Sequence, residues 1–110
     1  MNAWMLLALA IALEVIATFF LKLSSGFEKW HWGVLSILCY TCCFWALAPA
    51  IKVIPVGVAY ALWAGIGIVA VTLIGWSVFE ERLGAVQLAF IGMIAIGAVG
   101  LRLTTTAAPA

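Results

Sequence analysis

Charge is what this chain has least of: five Lys or Arg and four Asp or Glu among 110 residues, 8% against 68% apolar. An ordinary soluble domain carries roughly a quarter charged residues. So few charges cannot solvate a globule of this size, which excludes a soluble enzyme and a disordered chain. The net charge of +1 leaves no basic footprint for nucleic acid. No Walker phosphate loop is present, and the length leaves no room for a nucleotide-binding domain. ATP-driven pumping by this chain alone is excluded. Metal ligands are also short. Cys39, Cys42 and Cys43 have no His beside them, whereas a zinc site needs four ligands in closed geometry. They read as small buried hydrophobes, and a disulfide within one helix has the wrong geometry.

What is present is apolar sequence in long runs, with a mean hydropathy of +1.31. Crossing the hydrocarbon takes about 20 residues per helix. The charges punctuate four such runs, which predict helices over 3–21, 33–51, 58–79 and 85–101 in a single transmembrane domain spanning 1–110. The runs are apolar on every face, which excludes barrel strands that alternate between lipid and lumen. An all-α, four-helix, up-down-up-down membrane bundle is the expected fold. Pro49 is expected to bend or fray the end of the second helix, and 104–110 reads as a frayed polar tail. Ala8-Leu9-Ala10 and Ala10-Ile11-Ala12 look like signal-peptidase sites. The start lacks Lys and Arg and the run continues past them, so an uncleaved first span is expected.

Lys and Arg in loops set orientation. Lys52 and Arg102 fall on the side of the termini, and Lys22, Lys29 and Arg82 on the other. This near-balance predicts insertion both ways up. Two opposed copies would pair about a pseudo-two-fold axis in the membrane plane, as inverted repeats do within larger transporters.

Glu14 lies near the middle of the first run. A carboxylate there is costly and by default marks function. No Lys, Arg or His lies within any of the four runs, so the sequence supplies no buried partner. The carboxylate must then be protonated or hold a cation from outside, since burial disfavours its bare charge. Proton and organic cation competing for one site, in a protein open alternately to each side, make an antiporter driven by a proton gradient, with no cofactor. Leu7, Ala10, Ile11, Ala17 and Thr18 share the Glu14 face at helical spacing. Small Ala10, Ala17 and Thr18 leave either space beside the carboxylate or a surface for close helix packing.

Tyr60, Trp63 and Gly67 share a face of the third run, and Tyr40 of the second can add a ring and a hydroxyl. Aromatic faces bind cations, Trp best, so these side chains form a candidate cage. Ordinary aromatic packing is the plainer reading. Trp4, Trp30 and Trp32 fit an interfacial belt, while Trp45 and Trp76 face lipid or a neighbouring helix. Gly65 and Gly67 interrupt the third helix as a kink, and hence a hinge, or as a notch for close packing. In the fourth run Ala85, Ala89, Gly92, Ile96 and Gly100 share a face, with Gly97 adjacent. This is the expected dimer contact.

The residues Ala12-Leu13-Glu14-Val15-Ile16-Ala17-Thr18, Leu21-Lys22-Leu23-Ser24-Ser25-Gly26-Phe27 and Ile54-Pro55 through Tyr60, Trp63, Gly65 and Gly67 resemble the small multidrug resistance transporters of bacterial inner membranes. The resemblance covers nearly the whole chain. It implies an antiparallel dimer in which Glu14 binds proton and substrate in turn, Tyr40, Tyr60 and Trp63 line the site, and Gly65 and Gly67 let the third helix bend. Guanidinium exporters of the family carry Trp where this chain has Ala17, and Lys-Glu-Pro where it has Glu81-Arg82-Leu83. The chain therefore looks closer to the multidrug branch, exporting lipophilic and quaternary ammonium cations. It departs from that branch at Glu80-Glu81, where Gly-Gln is common, and at Phe90, where Gly is common. Some members work as pairs of related chains, polyamine exporters among them, so a heterodimer is the alternative to a homodimer. A non-transporting tetraspan accessory protein is the third reading, and Glu14 argues against it.

Overall fold

The computed structural model describes residues 2–105, so 106–110 of the expected tail lie outside the described residues. The backbone forms α1 Ala3–Leu23, α2 Trp30–Ala50, α3 Val56–Val78 and α4 Ala85–Thr104, and no strand appears among the described residues. All four are long and apolar enough to cross a membrane. A 21-residue helix is about 31 Å long, the thickness of the hydrocarbon core.

The helices differ at their ends from the lengths the charges suggest. α1 continues through Lys22 to Leu23, because a cation in the last turn suits the helix dipole. α2 starts at Trp30 rather than 33, so the aromatic belt Trp30-His31-Trp32 is helical. Pro49 does not end α2, which runs to Ala50. It falls in the last turn, where it removes only one intrahelical bond. α4 extends past Arg102 to Thr104.

The α1–α2 turn is tightly built. Ser24 is fully buried; its hydroxyl donates to the Leu21 carbonyl (2.6 Å) and accepts from the Phe27 N–H (3.1 Å). Ser25, Gly26 and Phe27 then take left-handed backbone angles (φ 49°, 68° and 69°) and reverse the chain. The Phe27 ring covers Gly33, where a Cβ would lie 2.5 Å from it. Below the turn Ser36, also fully buried, donates to the Ala17 carbonyl at 2.8 Å. A polar group buried among apolar helices is stable only with such a partner.

α1 is the hub. It packs along α2 and against α3, while the backbone of α4 packs along α3. The core joins Leu7, Ile11 and Val15 of α1 to Ala50 and Ile54, to Ala59 and Leu62 of α3, and to Ala98 of α4. Ala10, Cys43 and Ala46 form a second patch between α1 and α2. The result is a slab of 44 × 34 × 17 Å.

Candidate functional site

Glu14 sits half-buried at mid-height on α1. One turn on, the Thr18 hydroxyl donates to its Oε1 at 3.0 Å. Thr18 Oγ1 also lies 2.8 Å from the Tyr40 hydroxyl of α2. A threonine hydroxyl has a single proton. With that proton on Glu14, Tyr40 donates to Thr18, and a relay Tyr40–Thr18–Glu14 fixes the carboxyl group.

The other oxygen is unsatisfied. Glu14 Oε2 is buried and has no hydrogen-bond partner. It has no ionic partner either; among the described residues the one salt bridge is Lys22–Glu81. Oε2 faces Gly67 of α3, where a Cβ would stand 3.3 Å away. A side chain at position 67 would crowd the carboxylate, so glycine here is a seat for it. An open cavity of about 270 Å³ lies beside Glu14, walled by Glu14 and Thr18 on one side and by Trp63, Ala64, Gly67, Ile68 and Val71 on the other. A carboxyl oxygen with free lone pairs, beside an indole and apolar walls, suits either a proton or an apolar cation.

The expected site residues divide into three groups. Glu14, Thr18, Tyr40, Trp63 and Gly67 come together. Trp63 is half-buried, its ring 6.0 Å from that of Phe44. Leu7, Ala10, Ile11 and Ala17 are instead buried in helix packing and do not line the cavity. Of the two readings of the small residues, Ala10 and Ala17 follow close packing, under α2. Tyr60 stands apart, 73% exposed. It precedes Gly67 by seven residues, which puts it about 10 Å away along α3. Outside this site, Gly92, Gly97 and Gly100 face nothing within 4 Å. Trp45 is 83% exposed, as a lipid-facing ring would be. Trp4, assigned to the interface, is half-buried and carries the Arg102 guanidinium 4.1 Å from its ring.

Gly65 and Gly67 admit two readings in the sequence, a kink or a notch for close packing, and their contacts fit the notch. α3 is helical without a break through Gly65 and Gly67. Both glycines serve close approach: at Gly65 a Cβ would lie 2.5 Å from that of Ala98, and Gly67 receives Glu14. Sequence reasoning missed the seating role of Gly67 and the walls Ala64, Ile68 and Val71. Their spacing of i, i+4 and i+7 was the available signal.

A family model for the Small Multidrug Resistance protein matches residues 2–94. The chain belongs to the small multidrug resistance family. It is 38% identical over 109 residues to the multidrug transporter EmrE of Escherichia coli, covering 99% of each chain. It is 42% identical over 107 residues to the quaternary ammonium compound-resistance protein QacE of Escherichia coli, covering 97% of each. It is also 46% identical over 99 residues to the spermidine export protein MdtI of Citrobacter koseri, covering 86% of this chain and 89% of the relative. As a small multidrug resistance protein it is a transporter rather than an enzyme, and a multi-pass protein of the inner membrane.

Proposed function

We propose that the chain is a proton-coupled antiporter that exports lipophilic and quaternary ammonium cations as an antiparallel, dual-topology dimer. The observation that carries this reading is Glu14, whose buried Oε2 has no partner of its own and which, with Trp63, walls an open cavity. A bare carboxylate there is costly, so it gains by taking either a proton or a cation. Each species expels the other, and a proton gradient supplies the energy. Trp63 offers the cation an aromatic face, Tyr40 and Thr18 hold the carboxyl in place, and Tyr60 joins the site from the second protomer. Gly65 and Gly67, which lack side chains, let α3 bend during exchange. The open face of Gly92, Gly97 and Gly100 on α4 is the surface for the second copy. Near-balanced loop charges allow that copy to insert upside down.

The test is transport by purified chain in proteoliposomes under a pH gradient. Glu14→Gln should fold, insert and lose both coupled export and the proton release that accompanies substrate binding. Coupled export that survives Glu14→Gln would defeat the assignment.

The relative named as a spermidine exporter favours a second reading, in which the chain is one subunit of a paired polyamine exporter. That reading expects no transport by the chain alone and recovery when a related chain of opposite loop-charge bias is added.

A further inference from the structure

A second carboxylate lies on the same side of α1 as Glu14, in a part of the molecule that the proposed antiport cycle does not use. α3 ends at Val78. Glu80 then takes a left-handed conformation (φ 55°), and the Glu81 N–H returns to the Gly75 carbonyl at 2.9 Å. This turn folds the Glu81 carboxylate back over Gly75, where a Cβ would lie 2.5 Å from Oε1. The arrangement is unfavourable in two respects. Left-handed backbone is strained for a residue with a Cβ, and an anion at a helix C-terminus opposes the dipole. A cation offsets both: Lys22 Nζ lies 2.9 Å from Glu81 Oε2 and 5.8 Å from the centre of the Phe79 ring. Phe19 stands against Phe79, ring centres 5.7 Å apart. Carboxylate and rings together form an ammonium site, and the ammonium in it belongs to the chain itself.

This site opens onto a cavity of about 80 Å³ whose walls include Val15, Val71 and Ile74. Thr18 and Val71 line both this cavity and the one at Glu14, so the two adjoin. The spacing follows from α3. Glu14 is seated on Gly67 and Glu81 on Gly75. Eight residues separate these seats, about 12 Å along the helix. The order is therefore carboxylate, apolar trough, carboxylate, with Val71 between them and the Thr18 hydroxyl at the Glu14 end.

We propose that Glu81, with Phe79 and Phe19, forms a second cation subsite, and that with Glu14 it selects linear polyamines. One terminal ammonium displaces Lys22 at Glu81, the other binds Glu14, and the methylenes lie along Val71. A span of about 12 Å requires about nine single bonds of ~1.5 Å in a zigzag. The Lys22–Glu81 pair is about half exposed (55% and 53%), and an ion pair at that exposure is weak. Anchoring at Glu14 raises the effective concentration of the far amine enough to compete with the tethered lysine. The inference rests on Glu14 being the cation site and adds a length-selective substrate class to it.

The experiment measures displacement of bound tetraphenylphosphonium from the purified full chain in lipid nanodiscs by a series of α,ω-diamines. Affinity should peak near about eight carbons and exceed that of the monoamine of equal length about tenfold or more. Glu81→Gln should flatten the peak and lower the diamine-to-monoamine affinity ratio about tenfold. Glu81→Asp keeps the charge and should retain the peak. Lys22→Met removes the tethered competitor and should raise the ratio a few-fold. A flat series in the unaltered protein, or a peak unmoved by Glu81→Gln, overturns the subsite and leaves the Glu14 assignment standing. Failure to bind tetraphenylphosphonium at all overturns both.

Discussion

α1 and α4 are nearly the same length, and both are apolar on every side, yet the protein uses them differently. Of the most apolar 18 residues of each, 28% are buried in α1 and 6% in α4. α1 carries five buried residues, accepts the Ser36 hydroxyl at the Ala17 carbonyl and presents Glu14 to α3. α4 buries only Ala98, which meets Gly65. In water so exposed a helix would be driven inward. In lipid there is no such drive, because the tails are as apolar as Leu, and helices associate through close packing and hydrogen bonds. α1 has both, while α4 has one close contact and a free face of glycines. The asymmetry separates a half that builds the carboxylate site from a half that the protomer leaves open.

The sharpest way to break this comparison is to make one substitution on each side of α4. Gly65→Leu drives a side chain into Ala98, at a contact made by close approach of two helices. Overpacking of this kind costs typically 1–3 kcal/mol, so about that loss is expected, with α4 detached from α3. Gly97→Leu meets nothing within the protomer. It should leave protomer stability within about 0.5 kcal/mol and act on association alone. Reversible unfolding in mixed micelles reads the first effect, and dimer dissociation in bilayers the second. Equal destabilisation of the protomer by both would show that α4 is packed on two faces.

The four spans are legible in the sequence because charges are almost confined to the loops, and the isolation of Glu14 is legible for the same reason. The rotation of each helix about its axis is not. Runs that are apolar on every side carry no stripe to say which face turns inward. Ala10 and Ala17 lie to one side of Glu14 and Thr18 to the other, each by roughly 50° at 3.6 residues per turn. All three look equally near the carboxylate in sequence. α2 covers the first side, leaving only Thr18 at the cavity. Tyr60 shows the same limit along the axis: it shares a nominal face with Gly67 but lies two turns away. The Lys22–Glu81 pair joins residues far apart in the chain, and only the left-handed turn at Glu80 brings them together. The odd feature visible beforehand was the acidic pair itself.

A smaller effect tests why α1 and α2 hold together. Ser36→Ala removes the hydrogen bond to the Ala17 carbonyl without adding bulk. Bonds of this kind between membrane helices average about 0.6 kcal/mol, and a loss of about that size is expected from unfolding midpoints. Ser77→Ala is the control. Its hydroxyl bonds within its own helix, to the Leu73 carbonyl, and is exposed. No measurable loss should follow there. A loss at Ser36 no larger than at Ser77 would assign the tight hairpin to Ala and Gly packing alone.

An effect of similar size concerns a side-chain contact between the end of α4 and the start of α1. The Arg102 guanidinium lies over the Trp4 ring, 4.1 Å from its centre. An exposed cation–π contact is worth about 0.5–1 kcal/mol. Arg102, in the last turn of α4, is also one of the cations expected to balance orientation, so removing it mixes two effects. Arg102→Lys separates them, since it keeps the charge for topology but replaces the flat, stacking guanidinium by a compact ammonium. Trp4 emission should shift and the end of α4 should exchange amide hydrogens faster, with the distribution of orientations unchanged. Arg102→Gln should do the same and also move the orientation, because it leaves fewer cations on the side of the termini. If Arg102→Lys alone moved the orientation, the stacking on Trp4 rather than the charge would be setting it. α4 would then be tied to α1 more firmly than its single buried residue implies.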